Sequence, residues 1–259
     1  MHVFRMTFLA SKSGAISEDQ IEEITSFHAA LYKNGQAIER EYPIWINKNR
    51  VTMNITCLEK NSLAKCNCNK YVLNHLKKLS ELGFNKIHKS YLGIDPSCIE
   101  TCECKASSAF ILFSTYASYA SPIRCYDCFK NVPLYQFQPI CNFEFLDIMT
   151  WYNDYKACDS LQMHCSVGER FALKQLGDPK SALSKMGLKI CEELAKQTKK
   201  PFYYFLMKHY GISKRDELQR KCPLCKRPWL KQKIHRLFHF QCKNCSLLSN
   251  VAYSLRRRN

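Results

Sequence analysis

The chain has 259 residues, 46% of them apolar and 12% aromatic, and carries a formal net charge of +17, a balance that excludes a disordered chain and leaves room for two or three packed modules. No run reaches the roughly 18 apolar residues that a membrane helix needs, and the N-terminal VFRMTFLA, interrupted by Arg5, is too short and too poorly flanked for a secretory signal. The cytoplasm is therefore the expected compartment, with no membrane partner, and in that reducing setting 16 cysteines read as metal ligands where they cluster and as small buried hydrophobes where they stand alone.

Val3 to Ala10 reads as a strand. Ser17 with Gln20 makes a capping box, after which Ile21, Ile24, Phe27, His28 and Leu31 recur at helical spacing until Asn34-Gly35 stops the helix. Ala37 to Ile46 reads as a second strand, Asn47-Lys48-Asn49 as a turn, and Val51, Met53, Ile55 and Cys57 as the buried face of a third. Val72, Leu73, Leu76, Leu79 and Leu82 form the stripe of another helix before Gly83, and Ile87 to Gly93 closes the set. The order is strand, helix, strand, strand, helix, strand, so residues 1–95 are expected to form a ferredoxin-like α+β module, a fold that does not by itself predict a function.

Residues 96–211 read as a central cysteine-rich α+β region. It contains the strand-like AFILFSTY, a capping box of Ser166 and Glu169 ahead of Phe171, Leu173 and Leu176, a break at Gly177-Asp178-Pro179, a helix from about Ser181, and FYYFLMKHY with the density of a buried strand. Gly211 to Lys221 is polar and charged, which suggests a flexible junction before a C-terminal module at 212–259.

That module carries the most specific signal. Cys222 and Cys225 form one C-x2-C turn, Cys242 and Cys245 a second, and the interval between them fits two short strands. A tetrahedral thiophilic ion takes four such thiolates, so the spacing predicts a zinc ribbon; iron is the lesser alternative. Cys102-x-Cys104 with Cys125-x2-Cys128 makes a second four-cysteine zinc candidate, in which Cys98 can replace Cys102, whereas Cys66-x-Cys68 has no complementary pair. Four thiolates leave no position for water or substrate, so neither site reads as hydrolytic.

The charge is concentrated around the ribbon: Lys214 to Asn259 holds 13 Lys and Arg against 2 acidic residues, a net of +11 that leaves +6 for the rest of the chain. Such a balance favours a polyanion. DNA or RNA is the expected partner, with Lys226, Arg227, Lys231, Lys233, Arg236, Lys243, Arg256, Arg257 and Arg258 on phosphates and Trp229, His235 and Phe238 as stacking surfaces. The alternative is a zinc-stabilised platform for a protein partner. A third class, a Cys/His enzyme, rests on Cys158, Asp159, His164 and Cys165 in WYNDYKACDSLQMHCSVGER, where a nucleophile, a carboxylate and a base lie close in sequence without that proximity making a catalytic geometry. The chain has no GxxxxGK[ST], no GxGxxG between a strand and a helix, and no H-E-x-x-H.

On the residues LYKNGQ (Leu31 to Gln36), TCECKASSAFILFSTYASYASPIRCYDCFKNVPLY (Thr101 to Tyr135), WYNDYKACDSLQMHCSVGER (Trp151 to Arg170), CPLC and CKNCSLLSN, the chain resembles, nearly end to end, an uncharacterised bacterial family described as zinc-ribbon-containing candidates for nucleic-acid binding. The resemblance implies a ribbon set in a larger unit whose middle motifs form a site of their own.

Overall fold

The computed structural model describes residues 1–11, 15–39, 42–96, 99–117, 119–140 and 144–255. The chain is mixed α and β and divides into two compact units, the first made of residues 1–103, 119–121 and 130–146, the second of 104–118, 122–129 and 147–259. Among the described residues no helix is long and apolar enough to cross a membrane.

The first unit holds β1 (His2–Leu9), α1 (Glu18–Lys33), β2 (Ile44–Asn47), β3 (Arg50–Cys57), α2 (Lys70–Glu81) and β4 (Lys86–Ile94). Its sheet runs β2-β3-β1-β4, and every neighbouring pair is antiparallel. Alternation buries Phe4, Met6 and Phe8 of β1, and Phe8 meets the edges of Phe27 from α1 and Phe84 after α2, so the helices cover that face. The capping box at Ser17 and Gln20 is present in both directions. Asn69 caps α2 through the amides of Tyr71 and Val72. The second strand is shorter than its composition suggests: it begins only at Ile44, after Pro43, which has no N–H for a ladder, while Ala37 and Ile38 are buried outside it. LYKNGQ works as a helix stop. Gly35 turns the chain at φ 71° directly against Leu134, where a Cβ would lie 2.6 Å from the Leu134 Cβ, and the buried amides of Asn34 and Gln36 bond each other and the carbonyls of Asn67 and Ser62.

The second unit contains β5 (Phe110–Leu112), β6 (Ile123–Cys125), α3 (Leu146–His164), α4 (Glu169–Gly177), α5 (Ala182–Thr198), β7 (Phe202–Phe205), β8 (Tyr210–Gly211), α6 (Lys214–Gln219), β9 (Leu230–His235), β10 (Phe238–Cys242), β11 (Leu247–Ser249) and β12 (Ser254–Leu255). Six strands form one sheet in the order β6-β5-β7-β11-β10-β9, and β8 pairs with β12 separately. β7 is parallel to both of its neighbours, β5 and β11. All four of its residues are buried because each face is covered: Tyr204 packs against Trp151 of α3 and faces α5, while Phe205 meets Phe113 and Phe238 on the other side.

Three sequence expectations differ from this arrangement. Residues 212–255 share a sheet with the strands of 104–211, because β11 takes the free edge of β7. The polar stretch 212–221 carries α6, not an open linker; its buried Glu217 accepts the Ala252 amide and pairs with Arg220 at 3.4 Å. Finally, α4 has no Ser166 capping box, since Gly168 occupies the N-cap position at φ 70° with no side-chain cap.

Where α5 crosses β7 the approach is so close that a Cβ on Gly187 would overlap the Tyr204 ring and lie 2.8 Å from Trp151 Nε1. Gly187→Ala gains up to about 1 kcal/mol of helix propensity, but overpacking beside a ring held on both sides costs about 1–3 kcal/mol. The expected outcome is a net loss of stability, read as a lower denaturation midpoint.

Candidate metal centres

Three C-x2-C turns share one local geometry. In each, the residue after the second cysteine lies in the left-handed region: Phe129 (φ 62°), Lys226 (φ 60°) and Ser246 (φ 51°). In two of them that residue's amide closes onto the first cysteine's carbonyl, Phe129 to Cys125 at 2.9 Å and Lys226 to Cys222 at 2.9 Å. A non-glycine residue in this region costs roughly 1–2 kcal/mol, a cost that joint ligation of an ion by both thiols would offset. Each turn leaves its two sulfurs on the inside of the bend, which is the arrangement a tetrahedral ion requires.

The sulfurs of Cys222, Cys225, Cys242 and Cys245 all lie within 4.8 Å of one another, as do those of Cys102, Cys104, Cys125 and Cys128. A metal–thiolate distance of about 2.3 Å in a tetrahedron sets sulfurs about 3.8 Å apart; Cys225 and Cys242 are 3.5 Å apart, and Cys104 and Cys125 4.0 Å. Both groups of four can hold a metal ion, and both donor sets are compatible with zinc. Among the described residues these are the only such groups, so Cys66 and Cys68 form no third one; Cys98 lies outside the described residues.

In the cluster of Cys222, Cys225, Cys242 and Cys245 the thiols differ in their surroundings. The Arg227 backbone amide, bonded to the Cys225 sulfur, brings that thiol down to about 7, whereas burial pushes Cys242 and Cys245 up. A divalent ion held there by Cys222, Cys225, Cys242 and Cys245 would favour the thiolate form of all four.

Around this cluster Lys226, Arg227, Lys233, Arg236 and Lys243 are exposed. Two of the expected stacking residues are buried and the third is stacked within the protein. Trp229 is only 3% exposed: its indole N–H donates to the Arg220 carbonyl at 2.9 Å, and the Arg220 guanidinium lies over its ring and that of Phe240. Phe238 is fully buried. His235 stacks on Tyr126 with centroids 4.5 Å apart and contacts the Tyr126 carbonyl. Three predicted phosphate contacts have internal bonds: Lys231 to Tyr126 Oη (2.8 Å) and Gln241 Oε1 (2.6 Å), Arg236 to the Cys128 carbonyl (3.1 Å), and Lys226 to the Pro223 carbonyl (3.0 Å). Arg256, Arg257 and Arg258 lie outside the described residues. Arg220, which organises the hairpin, was missed in the sequence; its signal was an arginine next to the knuckle and nine residues before a tryptophan.

The residues of the catalytic alternative do not assemble as a triad. Cys158 is buried, and burial raises its thiol. Asp159 bonds Tyr116 and Gln162, His164 lies edge-on to Tyr116, and Cys165 bonds the Gln162 carbonyl.

The chain matches a family model described as a domain of unknown function (DUF2310) over residues 104–207, and two more described in the same words, DUF8594 over 211–255 and DUF8589 over 1–93. An "Uncharacterized protein" of Haemophilus influenzae is 33% identical over 228 residues, covering 85% of this chain and 87% of the relative. A second protein so named from the same organism is 35% identical over 166 residues, covering 63% and 81%. The solved structure of Rv0793 from Mycobacterium tuberculosis aligns with 37% of this chain and 97% of its own at 13% identity and a TM-score of 0.27, a likeness that carries no argument.

Cys242→Ser is expected to lower the metal content of the purified protein by one ion per chain and leave the other, as read by elemental analysis. Metal retention should also fall on acidification, since protons compete for the thiolates; the stability that the metal contributes is present at high pH and lost as pH falls.

Proposed function

We propose that the chain, which belongs to the bacterial family marked by the DUF2310 domain and shared with its Haemophilus influenzae relatives, is a non-catalytic, zinc-stabilised protein that binds nucleic acid through its C-terminal hairpin. The observation that carries this reading is the exposure of Lys226, Arg227, Lys233, Arg236 and Lys243 on the turns and strands around the cluster of Cys222, Cys225, Cys242 and Cys245, in a stretch with no Asp or Glu after Glu217. Two closed four-thiolate sites support structural zinc, because such sites leave no position for substrate. Thiolate ligands suit a reducing cytoplasm. The element order and antiparallel β2-β3-β1-β4 sheet of the first unit support reading it as ferredoxin-like.

With Trp229 and Phe238 buried and His235 stacked internally, the cations supply the contact, to phosphates rather than bases. Binding is then strongly salt-dependent with little base preference. A protein platform is the second reading, favoured by β9, an edge strand with Leu230 and Ile234 exposed, to which an extended segment can add.

The test is binding of single- and double-stranded oligonucleotides at several salt concentrations. Replacing Lys226, Lys233 and Lys243 together by Ala is expected to preserve metal content and flatten the slope of log K against log salt by about 0.7–0.9 for each phosphate that the chain no longer neutralises. Absence of binding by the intact chain at low salt would overturn the reading in favour of the protein platform.

A further inference from the structure

The buried face of α3 is not uniformly apolar. It runs through Ile148, Trp151, Tyr152 and Tyr155 and then ends in Asp159 and Gln162, which are only 7% and 4% exposed. Among the described residues Asp159 takes part in no ion pair. Its carboxylate is held by neutral donors alone: the Tyr116 amide at 2.7 Å on Oδ2 and the Gln162 Nε2 at 3.0 Å on Oδ1. Donating to Asp159 fixes the orientation of the Gln162 amide, because the flipped amide would set its oxygen against the carboxylate. The Gln162 Oε1 is consequently buried with no hydrogen-bond partner.

A structural role does not require this arrangement. With Asn at position 159, the side-chain oxygen could accept the Tyr116 amide with no charge buried. The carboxylate therefore retains a cost that the fold does not need, and such a cost is removed by a ligand that brings the missing charge and donors.

Both residues line a cavity of about 340 Å³, at the small end of the size range of ligand sites. Its walls include Phe113, Tyr155, Phe205 and Met207. Met163 (50% exposed) and Tyr253 (62% exposed) also line it and mark its outer side. A carboxylate without a counter-ion at one end and aromatic faces along the sides select a cation with N–H donors on an apolar body. They reject an anion, and a neutral amide leaves the carboxylate uncompensated.

We infer that this cavity is a binding site for a small protonated amine or amidine carried on an aromatic or aliphatic group, with Asp159 accepting its N–H donors. The inference is independent of nucleic-acid binding, since a phosphate backbone offers the opposite charge. It also gives a role to the motif Trp151 to Arg170 that the catalytic alternative left unexplained.

The experiment is calorimetric titration of the intact chain with benzamidine, benzamide and benzoate. Benzamidine is expected to saturate one site per chain, with benzamide about tenfold weaker or more and benzoate undetected. Asp159→Asn should remove the preference for benzamidine over benzamide, an outcome that a purely structural carboxylate does not produce. Met163→Trp, a change on the cavity's outer side, should block benzamidine in a chain whose fold is unaltered, and so tests the site even if Asp159→Asn fails to fold. Failure of benzamidine to saturate, equal affinity for benzamidine and benzamide, or benzamidine binding unchanged in both variants overturns the proposal.

Discussion

The second unit depends on the double pairing of β7. This strand has four residues, and its two edges are taken by β5, from the first part of the unit, and β11, from the last. The Phe110 amide donates to the Pro201 carbonyl on one side; the Tyr204 and Leu206 amides donate to Ser246 and Leu248 on the other. Ser246 is the left-handed residue that follows the Cys242–Cys245 turn. The thiolate cluster thus fixes a turn whose next carbonyl completes the central strand, and the ring of Tyr204 in that strand is the surface that lets α5 approach only at a glycine. Metal ligation, sheet pairing and helix packing act on the same residues, so a change at any of them is felt by the others.

The same coupling explains what was legible in the sequence. Cysteine spacing is a local code: a C-x2-C turn aims two sulfurs whatever its surroundings, and both groups of four come together as their spacing implied. The helices with a cap and an apolar stripe, α1, α2 and α5, were equally readable. Pairing between distant strands has no such local mark. FYYF reads as a buried strand, but nothing in it names β11 as its neighbour, and the polar composition of 212–221 hides an ordered segment pinned by Glu217 and Arg220. Trp229 illustrates the limit for side chains: an aromatic residue among lysines looks like an exposed ring until the arginine nine residues earlier is seen to cover it.

Nor does the basic character of the C-terminal stretch translate directly into an available surface. The segment after β6 crosses the face of the sheet, where Tyr126 packs on Tyr203, stacks on His235 and bonds Gln241 and Lys231. Arg236 adds a bond to the Cys128 carbonyl. Lys231, with its ammonium held between two oxygens, must give up those bonds to reach a phosphate, whereas Lys233 and Lys243 are exposed and have no such bonds among the described residues. Composition counts these cations equally; the hydrogen bonds do not.

Why α3 escaped detection follows from the same physics. A 19-residue helix normally announces itself by apolar residues at every third and fourth position. Here the stripe is intact in space, but its last turns are Asp159 and Gln162, so the hydropathy signal fades where the burial continues. A sequence selected only for packing would carry apolar residues there, because burying a carboxylate without a cation opposes folding. The position at which the periodic pattern fails is therefore informative in its own right. It marks where the closed packing of α3 against β7 gives way to a cavity, and where the requirements of the fold and those of a ligand part.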